Sequence, residues 1–554
     1  MKAFLRNLLA ATLGVALFFA LLAGGAAWKL DQKPSIRDHS WLVVDLYGDL
    51  PAYAGPGGVA SALLSEEGET LHRVLMNLEK ARHDERIEGV VLKLSSSNGA
   101  GPADLQEIRG AVRRLQEEGK QVLGFTDALD RSTFLLAGAC DSLYATPSAY
   151  ISYTGLATVS PYLKGALDKL AIEPQVHRID QYKAAAELVT RTEMSPAAEE
   201  NRTWMLQEMW EMGLQALAED RGWDEARAEE MMQHALFTAQ EAVEWGLVHR
   251  LLYWDQLAEQ LKREKDDHLR TVSSARYADE PLEELGWKGK KKIAVVHAHG
   301  MIGGRQSRVD PLLGTMMGHE TVGAALRRAR EDEDVVAVVF RIDSPGGESL
   351  ASDLIGREVE LCAQEKPIVS SMVDVAASGG YHIAYKATRI VADPMTVTGS
   401  IGSISGKFNV SGLYQKLGIT HDWVTKGPMA MLYSDLTDFS EEEWARYTEN
   451  HWEDFDRWLD DVAARRGLSR EQAEKVAMGR VWSGRQAVEN GLVDDLGDWM
   501  RAVEVAKELA GLKPDEEVSL VHYPAPKGLV ETVSYTHLRA HETVLDLVCR
   551  LLLE

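Results

Sequence analysis

The chain is expected to fold as an α/β protein built twice over, preceded by one N-terminal transmembrane helix. Three observations predict this. An uncharged run follows the first few residues, several motifs return after about 245 residues, and Val/Ile-rich runs alternate with amphipathic stretches throughout.

The uncharged run extends from Leu8 to Trp28, behind Lys2 and Arg6. A helix of that length, rising about 1.5 Å per residue, crosses a hydrocarbon core of about 30 Å. Basic residues at its start stay cytoplasmic, which places everything after Trp28 on the extracytoplasmic side. The small residues of LLAGGAA would suit cleavage of a leader, but the run is longer than a signal peptide's apolar region. An uncleaved anchor over residues 8–28 is the expectation.

The repetition is read from paired motifs. QEAVEWGLVHRL (Gln240 to Leu251) returns as RQAVENGLVDDL (Arg485 to Leu496), and ERIEGVVLKL (Glu85 to Leu94) as EDVVAVVFRI (Glu333 to Ile342). WLVVDLYGDL near Trp41 echoes KIAVVHAHGMI near Lys292, and YTGL at Tyr153 echoes VTGS at Val397. In each copy, apolar runs such as VVLKL, AVVFRI and PIVSSM read as buried parallel strands. ETLHRVLMNLEKARHD and ETVGAALRRAREDED between them read as amphipathic helices, hence right-handed α/β crossovers. The expected domains are a first repeat over 38–262, a charged linker over 263–291 and a second repeat over 292–520. Residues 534–554 repeat nothing and read as a spurious tail.

Composition narrows the function. The chain has 554 residues, 45% of them hydrophobic, as a folded protein of two or three domains requires. With 60 Lys+Arg against 85 Asp+Glu its net charge is -25, which repels polyphosphates, so no nucleic-acid partner is expected. Cys140, Cys362 and Cys549 are too few and too far apart for a disulfide framework or a metal knuckle. No cofactor and no metal are expected.

Chemistry is sought in three glycine-bearing turns of the second copy, each following a strand: DSPGGES (Asp343 to Ser349), VAASGGY (Val375 to Tyr381) and TGSIG (Thr398 to Gly402). Strand carboxyl ends of a parallel sheet converge on one crevice. Gly346 and Gly347 would let backbone N–H groups face a substrate oxygen. The first copy holds LSSSNGAG, ALDRSTF and TGL at these places, so Leu156 stands where the second copy has Ser400. Turns serving the fold alone would keep the same small residues in both copies. The serine therefore has a further task.

A serine hydroxyl needs a base at neutral pH. His382 falls on what reads as the helix after Ser378, and the next histidine is His421. A lysine can serve if an apolar setting lowers its pKa. Lys183, in IDQYKAAAELV, and Lys426, in VTKGPMA, are the candidates, and neither stands out from the residues alone.

These motifs, taken together and in order, resemble the signal peptide peptidase A (protease IV) family in its long, duplicated form. The resemblance rests on the N-terminal anchor, on QYKAAAE and MSPAAEE, and on DSPGG, AASGGY and TGSIG. It covers roughly Met1 to Gly511. It implies a Ser-Lys dyad peptidase in which Ser400 is the nucleophile and Lys183 the general base, one from each copy. It also implies two domains of the ClpP/crotonase-like fold and a homo-oligomer, a tetramer, enclosing a hydrophobic chamber that faces the membrane. The implied substrates are signal peptides and other apolar peptides at the bacterial inner membrane. Clp-type proteases carry a histidine about two dozen residues after a similar A-A-S turn, but TVTGSIGSISG has none, so Ser378 is assigned to packing. QYKAAAE departs from the family's commoner wording, and only Ser403 and Ser405 offer themselves as groups to orient Lys183. The rival readings are a non-catalytic membrane scaffold, which expects Ser400 and Lys183 far apart, and a crotonase-type enzyme acting on an acyl-CoA.

Overall fold

The structure is a computed structural model that describes residues 36–48, 50–53, 69–96, 99–281, 289–310 and 314–524. The expected anchor and tail lie outside the described residues. Among those described, no helix is long and apolar enough to cross a membrane.

The strands in chain order begin with β1 (Ser40–Leu46), β2 (Ile87–Leu94), β3 (Gln121–Leu129), β4 (Ser142–Ser152), β5 (Glu173–Arg178), β6 (Leu236–Phe237), β7 (Arg250–Leu251) and β8 (Thr271–Ser273). The second half supplies β9 (Lys292–His299), β10 (Met301–Ile302), β11 (Arg308–Asp310), β12 (Gly314–Met317), β13 (Val335–Ser344), β14 (Ile368–Ala377), β15 (Arg389–Ala392) and β16 (Val397–Gly399). It ends with β17 (Ile404–Asn409), β18 (Val481–Ser483), β19 (Asp495–Leu496) and β20 (Ser519–Tyr523). One sheet runs β6-β4-β3-β2-β1-β8 with β7 beside β4, and the other runs β18-β16-β14-β13-β9-β20 with β15 and β19 beside it. Each is parallel except where β6 meets β4 and β18 meets β16. The order is the same twice, with β8 and β20 as equivalent edges.

Burial explains the strands. Val90, Val91 and Leu92 in β2, and Val338, Val339, Phe340 and Ile342 in β13, are all inaccessible to solvent, as strands covered on both faces require. The longest helices also match across the copies: Pro196–Arg221 starts at the Ser195 cap and stops at Gly222, and Glu441–Arg466 starts at Ser440 and stops at Gly467. In both, a side-chain oxygen takes up a free amide at the start and a left-handed glycine ends the helix.

Part of the stretch 263–291, read as a linker, joins the first half's sheet and core. Within it, β8 pairs with β1 and the short helix Ser274–Tyr277 packs beneath, where the Asn77 side chain donates to Ser274 and the Tyr277 hydroxyl to Asp84. Its charges are spread around a short apolar core (Val272, Tyr277) that composition alone does not reveal.

The two halves are not separate beads. A single apolar cluster joins Leu42, Leu75 and Leu105 of the first half to Val295, Val339, Trp499 and Ala502 of the second. β5 leaves the first half to pair antiparallel with β17 of the second, from Ile404 opposite Arg178 to Asn409 opposite Glu173. Beneath the sheets, Arg341 on β13 meets Glu107 of the helix Pro102–Glu117 in a two-pronged ion pair of 2.7 and 2.9 Å. Both side chains are buried, and Glu107 also accepts from the Trp499 amide at 3.1 Å. Removing one partner of such a pair strands the other charge out of water. Glu107→Ala is accordingly expected to lower the unfolding free energy by about 3–5 kcal/mol in denaturant titration; a loss below about 1 kcal/mol would mean that Arg341 reaches water.

Candidate active site

β14 and β16 lie side by side, with Ala377 opposite Gly399, so the residues that follow, Ser378 and Ser400, leave the sheet together. The Ser378 amide donates to the Gly399 carbonyl at 2.8 Å, and that of Ser400 to the Arg480 carbonyl at 2.7 Å. Both serines have positive φ, 57° for Ser378 and 53° for Ser400. A residue with a Cβ holds that conformation only where its surroundings enforce it.

The first copy provides an internal control. There Asp130, which precedes the helix Arg131–Ala139 as Ser378 precedes Gly379–Ala384, has an ordinary extended backbone, φ -116°, and a standard capping box. Ser378 precedes the short helix Gly379–Ala384 without capping it through its side chain. The strain therefore belongs to the copy that carries the serine, not to the fold.

Lys183 arrives from the other half. β5 runs along β17, and past its end the Ile179 amide donates to the Ser403 carbonyl at 2.8 Å and the Tyr182 amide to the Met478 carbonyl at 3.1 Å. Gly479 admits the lysine backbone: a Cβ there would stand 2.4 Å from the Lys183 nitrogen. Lys183 is only 6% exposed. Its Nζ lies 2.9 Å from Ser400 Oγ, 2.9 Å from Ser378 Oγ and 2.7 Å from the Ser400 carbonyl oxygen. Burial lowers its pKa to about 7, because the ammonium form loses its hydration there.

Ser400 and Lys183 thus meet at the distance expected of them, and a second serine meets the same amine. Ser403 and Ser405, considered as orienting groups, are engaged elsewhere: His451 Nε2 lies 2.7 Å from Ser403 Oγ, and Ser405 pairs with the Tyr447 hydroxyl. His382 stacks on Trp458 and faces Asp353, bonded to neither serine side chain, and Lys426 is exposed. Ser378 was missed as a partner because its base was sought at a fixed spacing along the same copy. A base delivered by the other copy leaves no such spacing to find.

A cavity of about 790 Å³ opens beside the serines, walled by Gly347, Ser378, Gly379, Ile404, His451 and Trp458 among others, with the buried Lys183 not among its lining residues. Gly347 and Gly379 stand side by side on it, and a Cβ on Gly379 would come 3.1 Å from the Gly347 nitrogen. The Gly346 amide is turned to Ser344 Oγ at 3.2 Å, and Gly346 is not on the wall.

The description "Peptidase family S49" matches residues 114–267 and again 360–513, one window in each copy. A protein named "Serine protease SPPA, chloroplastic", from Arabidopsis thaliana, is 33% identical over 83% of this chain and 68% of its own length. "Protease 4" of Haemophilus influenzae is 31% identical over 80% of this chain and 74% of its own. "Putative signal peptide peptidase SppA" of Enterococcus faecium is 34% identical over 40% of this chain and 63% of its own. Two windows at the spacing of the repeat, and relatives that span both, match the doubled sheet: the chain belongs to peptidase family S49 and is a serine protease.

Proposed function

We propose that the chain is a membrane-anchored endopeptidase that degrades signal peptides and other apolar peptides, with Lys183 as its general base. The observation that carries the reading is the dry lysine amine within 2.9 Å of two serine hydroxyls. The scaffold reading expected these groups apart, and a crotonase-type reaction has no use for a serine held on a lysine.

A neutral amine has two N–H groups and one lone pair. The Ser400 carbonyl can only accept, so it takes one N–H. One hydroxyl accepts the other N–H, and the remaining hydroxyl donates into the lone pair, which makes it the nucleophile. Ser400 is the nucleophile that the family resemblance implies, but three features favour Ser378. Ser378 faces the cavity, it sits at the head of a helix, and it adjoins the Gly347 and Gly379 backbones. In this arrangement Ser400 anchors the amine through both its carbonyl and its hydroxyl. Lys183 takes the Ser378 proton, Ser378 Oγ attacks the peptide carbonyl, and the amides of Gly347 and Gly379 hold the oxyanion. Such a donor contributes about 3 kcal/mol to the transition state. The lysine then returns the proton to the leaving amine and draws the next one from water. Gly346 contributes by shaping the turn that presents Gly347.

The remaining parts are consistent with the substrate class. Ile404 and Trp458 give the cavity apolar wall, and a helix over residues 8–28 would hold it where apolar peptides collect. The name of the Enterococcus faecium relative supports signal peptides as substrates. We further propose two ClpP/crotonase-like domains, a tetramer, and residence on the extracytoplasmic side of the inner membrane, as the family resemblance implies.

Lys183→Ala and Ser378→Ala are each expected to reduce kcat/KM for an apolar peptide about 10⁴-fold or more. Ser400→Ala, which loosens the amine without removing base or nucleophile, is expected to cost about 10- to 100-fold. Peptide mapping after reaction with a fluorophosphonate is expected to find the label on Ser378; a label on Ser400 would reverse the two roles, and no label on either would sink the assignment. Because the base must be unprotonated, kcat/KM is expected to rise with pH through about 7, the lowered pKa of Lys183, and to level above it. A rate that stays flat from pH 5 to 9, with chemistry limiting, would remove lysine as the base.

A further inference from the structure

Away from the serines, three histidines from distant parts of the chain converge where the two halves meet. His72 lies in the first turn of the helix Leu71–His83, His297 in β9 and His522 in β20. One ligand atom from each falls within 4.8 Å of the others. His297 Nε2 and His522 Nδ1 are 3.2 Å apart, and the His72 ring meets that of His522 edge-on with centroids 4.4 Å apart. Two nitrogens on a tetrahedral Zn²⁺ with bonds of about 2.0–2.1 Å are separated by about 3.3 Å. The His297–His522 pair already has that spacing, and His72 offers a ring nitrogen within 4.8 Å of both.

We propose that His72, His297 and His522 form a binding site for a divalent transition-metal ion, Zn²⁺ by geometry, that fastens the first-half helix to the second-half sheet. Three imidazoles with one position left for water make a familiar donor set for zinc. In the metal's place a hydrogen bond joins the His297 and His522 imidazoles, one of which must keep a proton on a ligand atom; the ion takes the place of that proton. Burial first, and then the neighbouring positive charge, holds all three imidazoles below their usual range.

The surroundings are compatible with a cation. Tyr53 stacks on His297 with centroids 3.7 Å apart, which fixes that ring, while its hydroxyl is directed to the Pro524 carbonyl at 3.3 Å. Arg341, on the strand beside β9, is the positive group that bears on all three histidines, and its charge is answered by Glu107. Among the described residues β20 pairs only with β9, so an ion on His522 ties down a strand at the sheet's edge.

The test is a Co²⁺ titration of the full chain after chelation, followed by competition with Zn²⁺. One equivalent is expected to give the intense visible bands of four-coordinate Co²⁺, to be displaced by Zn²⁺, and to raise the thermal midpoint. His522→Gln and His297→Ala, which leave the serines and Lys183 untouched, are expected to lose those bands and the thermal shift while keeping peptidase activity. Only the faint spectrum of the aquo ion with the unaltered chain would overturn the site. So would bands that persist in both variants.

Discussion

The site depends on the removal of water from one amine. A lysine in water keeps its proton near neutral pH and cannot act as a base. Lys183 is buried between Ser378, Ser400 and the turn at Gly479, and that burial lowers its pKa to about 7. No segment of one copy could do this alone. β5 has to leave the first half and add to β17, and the antiparallel pairing of these strands sets how far along the second half the lysine arrives.

This dependence accounts for the tight joining of the halves. A base that must stay within hydrogen-bond reach of a nucleophile tolerates little relative motion of the elements that carry them. The shared apolar cluster, the buried Arg341–Glu107 pair and the Asn201 side chain bonded to Val481 oppose such motion. The duplication gave the enzyme two equivalent scaffolds, and they have diverged in complementary ways. The second copy keeps the strained serine at the head of a helix, and the first has Asp130 in a relaxed cap there. The first supplies the lysine-bearing arm.

The doubled α/β architecture was legible from residues such as the paired AVE-x-GLV motifs and the Val-rich runs, because buried parallel strands leave continuous apolar stretches and a duplication leaves a constant offset. Lys183 and Ser400 were legible as candidates, the serine from its loss in the first copy and the lysine from family wording. Ser378 was visible too, in AASGG, but was set aside for want of a histidine at the right interval. The charged stretch before Lys292 misled for a related reason: its few apolar residues, Val272 and Tyr277, carry its packing, and composition averages them away.

What the sequence by itself determined was the class of the strongly patterned strands and helices, the repetition, and the small residues at three turns, since these follow from local pattern and from the steric freedom of glycine. Only the tertiary structure decided that one amine touches two serines, that Ser378 lines a cavity, and that three histidines separated by hundreds of residues meet. The reason is physical. Desolvation and hydrogen-bond reach are properties of distance in space, and the strand pairing that sets those distances brings together positions whose separation along the chain bears no fixed relation to it.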